Sequence, residues 1–241
     1  MRAEFLKFRS LPTALWTGVF MVGCFLLGLI FCVWKGVGED EAVFDLAIGI
    51  PASIATIVIG AWVVGLEFGQ NTLRRVLSAD PRRIRLIMAK LGAALIVVIG
   101  TIALLWLLGM LIFPLAGSGH ERTIDTTQAF RNGAAVLVSG MVYVVVASGL
   151  AWITRSMAGG MTIAFVFFFV IDSIITAIPR VGDYALGSAL GNVDEAIRGN
   201  DQGIFGPSET IGTEVAILAV AAWVLLIVGL GIVRTLRTEV K

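Results

Sequence analysis

The stretch GLEFGQNTLRRVLSADPRRIRLIMAK, residues 65–90, separates two long apolar runs and carries six of the 18 basic residues of the chain. The runs on either side are each long enough to cross a bilayer, which takes about 20 predominantly apolar residues. Positive charge gathered between two such runs is typical of a cytoplasmic connection in a membrane protein. The sequence therefore predicts an integral membrane protein with this connection on its inner face.

The composition of the whole chain agrees with a membrane location. Of the 241 residues, 58% are hydrophobic and 15% are charged, and the mean hydropathy is +0.94. A soluble domain carries about 25% charged residues. Because the apolar residues form continuous runs rather than short alternating segments, the spans are predicted to be helices and not barrel strands. The pattern predicts one all-α transmembrane domain, residues 1–241, with six spans at about 12–34, 43–66, 91–113, 134–153, 159–178 and 211–233.

The distribution of charge predicts the orientation. Placing both termini in the cytoplasm puts 13 of the 18 basic residues on that side, against four of the 17 acidic residues. This asymmetry has the sign that the positive-inside rule requires, although the net charge of the chain is only +1. Six spans also return the chain to the side on which it starts.

Three shorter segments complete the predicted layout. Residues 1–10 read either as an amphipathic helix at the membrane surface or as an ordinary basic flank that fixes topology. The connection TRSMAGG, Thr154–Gly160, is predicted to be tight. The longest external connection, 179–210, contains GSALGNVDEAIRG, which is predicted to form short helices broken by glycines.

The basic connection, residues 67–90, has an internal organisation of its own. Leu73, Val76 and Leu77 recur at helical spacing and give one apolar face. Asp80 and Pro81 then end this short helix and begin a second one, which runs into the third span. The arginines alone require nothing more than headgroup anchoring. The separate amphipathic helix favours docking into a groove of a cytosolic partner.

Three segments of this region resemble the cytoplasmic signature of ABC type-2 exporter permeases: EFGQNTLR at 67–74, LSADPRR at 77–83 and AKL at 89–91. The resemblance implies that Thr72–Ala79 is the coupling helix, which presses into a cleft of a separate ATPase, and that Glu67 belongs to a polar relay behind it. The family usually has glycine where this chain has Asn71, a residue that also tolerates left-handed geometry. The implied dock comprises Thr72, Leu73, Arg74, Arg75, Val76, Leu77, Asp80, Pro81, Arg82 and Arg83.

The resemblance also implies the assembly. Two permease chains, identical or paralogous, would form one pathway in the bacterial cell membrane, driven by two cytosolic ATPase subunits that bind ATP and magnesium. This chain has no G-x-x-x-x-G-K-[ST] phosphate loop, no zinc motif and no predicted catalytic residue or nucleic-acid partner. The expected cargo is a drug, a peptide antibiotic or a lipid-like amphipathic molecule.

One acidic residue, Asp172, falls inside a predicted span. A carboxylate in hydrocarbon is costly and normally faces a bundle interior or a water-filled cavity. With Ser173 and Thr176 it forms a short polar stripe, which either lines a substrate path or has a structural role at a helix break near the outer surface; Phe168 and Phe169 either line the same path or face lipid and packing partners. Two further functions stay open: an integral membrane enzyme acting on lipid or peptide, and a noncatalytic anchor for a cytosolic protein.

Overall fold

The computed structural model describes residues 19–20, 22–27, 30, 40–69, 83–116, 126–199 and 211–237. The described residues before 31 are helical, those from 40 onward form seven α-helices, and no β-strand is present in these ranges. They are α1 (Asp40–Gly69), α2 (Arg83–Ala116), α3 (Thr126–Thr154), α4 (Met157–Val166), α5 (Asp172–Thr176), α6 (Leu186–Arg198) and α7 (Thr213–Arg237). A π-helical turn (Phe167–Ile171) joins α4 to α5, and a 3₁₀ turn (Gly182–Tyr184) precedes α6.

Four stretches of helix are long and apolar enough to cross a membrane: Ile87–Leu108, Thr127–Thr154, Met157–Thr176 and Thr213–Thr235. They coincide with the third to sixth predicted spans, so the chain is a multi-pass helical membrane protein. Within α1, the apolar stretch Pro51–Leu66 is shorter. Most of the predicted span 12–34, and all of the predicted surface helix 1–10, lie outside the described residues. The total of six spans therefore stays a prediction.

Helix α3 is the centre of the bundle. It packs against α1, α2, α4, α6 and α7. In its apolar window 56% of the residues are buried, against 22–28% in the other three candidate spans. Small residues bring the backbones together, because a Cβ on Gly60 of α1 would lie 2.5 Å from the carbonyl oxygen of Val144. The Ser148 hydroxyl donates to the carbonyl of Val144 at 2.7 Å or of Gly60 at 3.1 Å.

The turn between α3 and α4 is as tight as predicted. Only two residues, Arg155 and Ser156, separate Thr154 from Met157. The Ser156 hydroxyl accepts the backbone N–H of Gly159 at 3.3 Å and so caps the start of α4. Arg155 adopts a positive φ of 56°, which lets the chain reverse direction in so few residues.

The bundle has two ends, and each gathers different parts of the chain. The connection end contains the last turns of α1, the first turns of α2 and the α3–α4 turn. The cap end contains the start of α3, α5 and α6. Helix α6 corrects one expectation: it runs unbroken through Gly187 and Gly191 and ends at Gly199, whose φ is +73°. Leu186, Ala189 and Leu190 on its buried face favour the helix enough to offset the two internal glycines.

Candidate functional site

A buried lysine fastens α2 to α1 at the connection end. Lys90 lies in the span Ile87–Leu108 and is 3% exposed. Its ammonium donates a hydrogen bond to the backbone carbonyl of Val63 at 3.0 Å. A charged group inside a span is costly unless polar groups surround it. The first turns of α2 are therefore held on the last turns of α1 by a contact between a side chain and the backbone.

An apolar cluster surrounds this contact and joins several helices. Ala61 and Val64 of α1 meet Ile87 of α2, and both helices meet Ala151 and Trp152 of α3 in one buried group. Residues of α4 and α7 pack at its margin: Met161, Val228 and Ile232. A displacement of the ends of α1 and α2 would therefore be felt by all of these helices, since packed interiors transmit strain.

The end of α1 also lies directly on the α3–α4 turn. A Cβ on Gly65 would collide with the backbone of Met157. Three residues further along, the guanidinium of Arg155 lies 5.6 Å from the centre of the Phe68 ring, a cation–π distance. The connection that leaves α1 after Gly69 and enters α2 at Arg83 thus begins and ends on helices that are fastened to each other.

The predicted docking residues themselves fall between these anchored ends. Residues 70–82, with the predicted coupling helix Thr72–Ala79, Asp80, Pro81 and Arg82, lie outside the described residues. Arg83 is the first residue of α2, which continues without a break into the span. Glu67 belongs to the last turn of α1. The side chains of Glu67 and Arg83 are outside the described part of the chain, so the dock and the polar relay stay predictions.

At the cap end, Asp172 caps a helix that belongs to another part of the chain. Its side chain is 8% exposed, and its Oδ2 accepts the backbone N–H of Gly187 at 2.9 Å. Gly187 is the second residue of α6, where backbone N–H groups have no partner within the helix. The other carboxylate oxygen, Oδ1, is buried and has no hydrogen-bond partner among the described residues. A negative group at this position also interacts favourably with the positive end of the helix dipole.

A π-helical turn immediately before Asp172 sets its direction. The backbone N–H of Asp172 bonds to the carbonyl of Phe167, five residues back instead of four. Such a turn contains one residue more than an α-turn, which rotates everything after it by about 100° relative to a regular helix. Single π-turns inside α-helices are rare and occur often at functional sites.

The predicted polar stripe divides between two faces. The Thr176 hydroxyl donates to the carbonyl of Asp172 at 2.9 Å and lies 3.3 Å from the hydroxyl of Ser188 in α6. The Ser173 hydroxyl is exposed and donates to the Phe169 carbonyl of its own helix at 3.0 Å. Asp172 and Thr176 therefore face α6 together, and Ser173 does not.

The two predicted phenylalanines also separate. The Phe168 ring packs edge-on against Tyr143 of α3, with ring centres 4.7 Å apart. The Phe169 side chain is 57% exposed and stacks on Phe165 of the same helix. Their membership of a translocation path, like that of the polar stripe, stays a prediction.

The opposite end of α6 is held by α3. The two N–H groups of the Gln128 amide donate to the carbonyl of Arg198 and to the side-chain oxygen of Asn132, each at 3.2 Å. The buried Arg198 guanidinium donates to Asp194 at 2.9 Å. Burial raises the pKa of the Asp194 carboxyl, and the neighbouring Arg198 charge opposes that rise. Helix α6 thus has its first turn held by one span and its last turn by another.

Sequence reasoning missed the partners of these groups. In the sequence, Lys90 reads as part of the basic connection. Its position between Ile87–Ala89 and a long apolar run is nevertheless a usable signal of a charged group inside a span. Gly187 and Gln128 carry no local signal. They lie 15 residues from Asp172 and 70 residues from Arg198, and only the folded bundle brings them together.

Comparison with known proteins adds a family but no activity. The model of the family described as "Protein of unknown function (DUF2705)" matches residues 33–240, so the chain belongs to that family. The curated proteins contain no match. Among the solved structures there is likewise none.

Proposed function

We propose that this member of the DUF2705 family is the membrane-spanning permease subunit of an ABC exporter. A separate cytosolic ATPase would dock on the basic connection, residues 67–90. The observation that carries the proposal is the hydrogen bond from the buried Lys90 ammonium to the Val63 carbonyl. It fastens the two helices between which this connection runs, and the sequence of the connection resembles the type-2 permease signature.

The fastening supports a mechanical role for the connection. A partner that pushes on residues 70–82 moves α1 and α2 as a pair, because Lys90 joins them and Gly65 seats α1 on the α3–α4 turn. The apolar cluster at this end passes the displacement to α3 and α7. Rigid movements of packed helices of this kind are a common way to couple two distant sites.

The remaining parts of the proposal follow the resemblance. ATP and magnesium bind to the partner ATPase, and a second permease chain, identical or paralogous, completes the pathway. The cargo is amphipathic: a drug, a peptide antibiotic or a lipid-like molecule. This chain contributes the path and the dock and performs no hydrolysis itself.

Copurification tests the dock. The tagged chain is coexpressed with the candidate ATPase and extracted in mild detergent. The purified sample is then assayed for bound ATPase subunit and for ATPase activity. We expect the ATPase to copurify with the native chain and to be lost with Leu77→Asp, which places a charge on the apolar face of the coupling helix. The double variant Arg82→Glu/Arg83→Glu is expected to release it as well.

A matched double variant controls for charge alone. Arg237→Glu/Lys241→Glu makes the same change of charge on the same predicted side of the membrane, outside the connection. It is expected to keep the ATPase bound. If both double variants release the subunit equally, the connection is no specific dock. A bound partner that hydrolyses no ATP would instead favour the anchor function.

A further inference from the structure

Helix α6 packs its buried face on α3 and α7, and hydrogen bonds attach each of its two ends to a span. At its start, Gly187 donates its N–H to Asp172, in the span Met157–Thr176. At its last residue, the Arg198 carbonyl accepts from Gln128 at the beginning of α3. Each attachment satisfies a backbone group that the helix cannot satisfy itself. Because the two attachments belong to different spans, these spans cannot separate at the cap end while both contacts are intact.

The attachment at Asp172 is built with little tolerance. Gly187 approaches the carboxylate so closely that a Cβ there would collide with Oδ2. Gly182, in the 3₁₀ turn, likewise has no room for a Cβ because the carbonyl of Thr176 occupies the space. The Trp223 indole of α7 donates to the Tyr184 carbonyl at 2.9 Å and holds the same turn from outside. These contacts fix the path of the chain between α5 and α6, so that the first turn of α6 lies on Asp172.

We propose that Asp172 is a positioning residue that seats α6 across the cap end, and that α6 is a strap whose release at Asp172 opens this end. The seating stands on the contacts of Asp172, Gly187 and Gln128. The use of the release as a step of transport rests on the proposed function. In that cycle, tilting of the span Met157–Thr176 withdraws Asp172 from Gly187, while Gln128 keeps α6 attached to α3.

The Asp172 contact is the one expected to open, for a reason visible in the carboxylate. Oδ1 is buried without a partner among the described residues, and an unpartnered buried polar atom is costly. Opening exposes that oxygen to water and recovers part of the cost. The π-turn before Asp172 adds to this, since returning one residue to α-helical geometry rotates the carboxylate away from Gly187.

Labelling of a buried thiol on α6 measures the seating. Cys24 and Cys32 are first replaced by Ser, and Ala189→Cys, at a position that is 0% exposed, then reports whether α6 is lifted. The protein is held in lipid nanodiscs, where a hydrophilic maleimide reaches both faces. Ala196→Cys, at an exposed position of the same helix, gives the unprotected rate. Ala151→Cys, buried at the connection end, reports any general loosening.

A set of variants distinguishes the effect of losing the Asp172 carboxylate from the effect of changing residues beside it. Asp172→Leu is expected to raise the labelling rate at position 189 by roughly tenfold, the equilibrium shift that loss of a helix cap produces. Gly187→Ala is expected to raise it similarly with Asp172 itself unchanged, because the added Cβ collides with Oδ2. Asp172→Asn keeps an acceptor and stays within about twofold of the native rate, because asparagine and aspartate cap equally well. Ser173→Ala leaves the rate unchanged, and position 151 stays protected throughout.

Nucleotide then separates the inference from the proposed function. With the ATPase bound, ATP and vanadate are expected to raise labelling at position 189 in the native background, and in Asp172→Leu labelling is already high and nucleotide has no further effect. If Asp172→Leu and Gly187→Ala label at the native rate, or if position 189 is as reactive as position 196 from the start, α6 is no strap and the inference fails. If those variants behave as expected and nucleotide changes nothing, the seating stands and the proposed transport step fails.

Discussion

The connection end and the cap end solve the same problem in opposite ways. Each buries one charged side chain of a span against the backbone of a neighbouring helix: Lys90 donates to a carbonyl of α1, and Asp172 accepts from an amide of α6. Around Lys90, an apolar cluster joins five helices. Around Asp172, the neighbour is a 13-residue helix whose buried side includes Asn192, Glu195 and Arg198. The first end is thus held by apolar packing shared among several helices, and under the proposed function it would transmit a displacement. The second depends on contacts of single polar groups, and under the same proposal it would open.

The largest effect is expected from reversing the charge at the connection end. Lys90→Glu places a carboxylate against the Val63 carbonyl and removes the donor. Because an uncompensated buried charge is strongly destabilising, we expect the free energy of unfolding to fall by about 3 kcal/mol. Thermal unfolding followed by size-exclusion chromatography measures the loss. Lys90→Arg keeps a donor, and its stability is expected to stay close to that of the native protein. Equal stability of both variants would show that this contact does not stabilise the fold.

A smaller loss is expected from crowding the same end. Gly65→Leu pushes α1 off the α3–α4 turn, because even a Cβ has no room beside Met157. Overpacking of this kind costs about 2 kcal/mol. Gly100→Leu is the matched control, since nothing lies within 4 Å of its Cβ position in α2. Indistinguishable melting of the two leucine variants would contradict the close approach at Gly65.

At the cap end, loss of the α3 attachment is expected to have a local effect. Gln128→Ala removes the donor to the Arg198 carbonyl, a contact whose net contribution is about 1 kcal/mol. Hydrogen exchange of the amides near residue 198 is expected to quicken, while that near Lys90 stays slow. Equal acceleration at both ends would mean that the two ends open as one unit, and the contrast between them would be lost.

The smallest effect is expected at the 3₁₀ turn. Trp223→Phe keeps the ring packing on Phe167 and removes only the hydrogen bond to the Tyr184 carbonyl. We expect a loss of stability below about 1 kcal/mol. Hydrogen exchange at Tyr184 and Ala185 is expected to quicken a few-fold. A loss as large as that of Lys90→Glu would contradict the idea that the cap end is held by individually weak contacts.

The sequence anticipated the parts of this fold that are local. Four long apolar helices and the tight connection within Thr154–Gly160 follow from runs of neighbouring residues, and the structure confirms them. A helix between 187 and 199 was also expected, although its glycines did not break it. The glycine penalty of about 1 kcal/mol is a property of isolated helices. Here the burial of Leu186 and Leu190 outweighs it.

What the sequence missed depends on contacts between distant segments. The position of Asp172 inside a span marks it as a residue with a role, and a structural role at a helix break is one of the two that its sequence allows. Its partner Gly187 is not deducible without the orientation of α6. The π-turn before Asp172 has no signature in FFFVI, whose rings Phe167 and Phe168 pack on Trp223 of α7 and Tyr143 of α3. The docking surface, by contrast, rests on sequence alone.

The two-residue turn after Thr154 gives the span Met157–Thr176 the geometry of a lever. Ser156 and Arg155 fix its pivot at the connection end, and the 20 residues from Met157 to Thr176 form an arm of about 30 Å. A tilt of about 5° at the pivot then displaces Asp172, about 23 Å along this arm, by about 2 Å. The hydrogen bond between Asp172 and Gly187, only 2.9 Å long, would not survive such a displacement. A tilt of a few degrees at the connection end would thereby be enough to break a contact at the cap end.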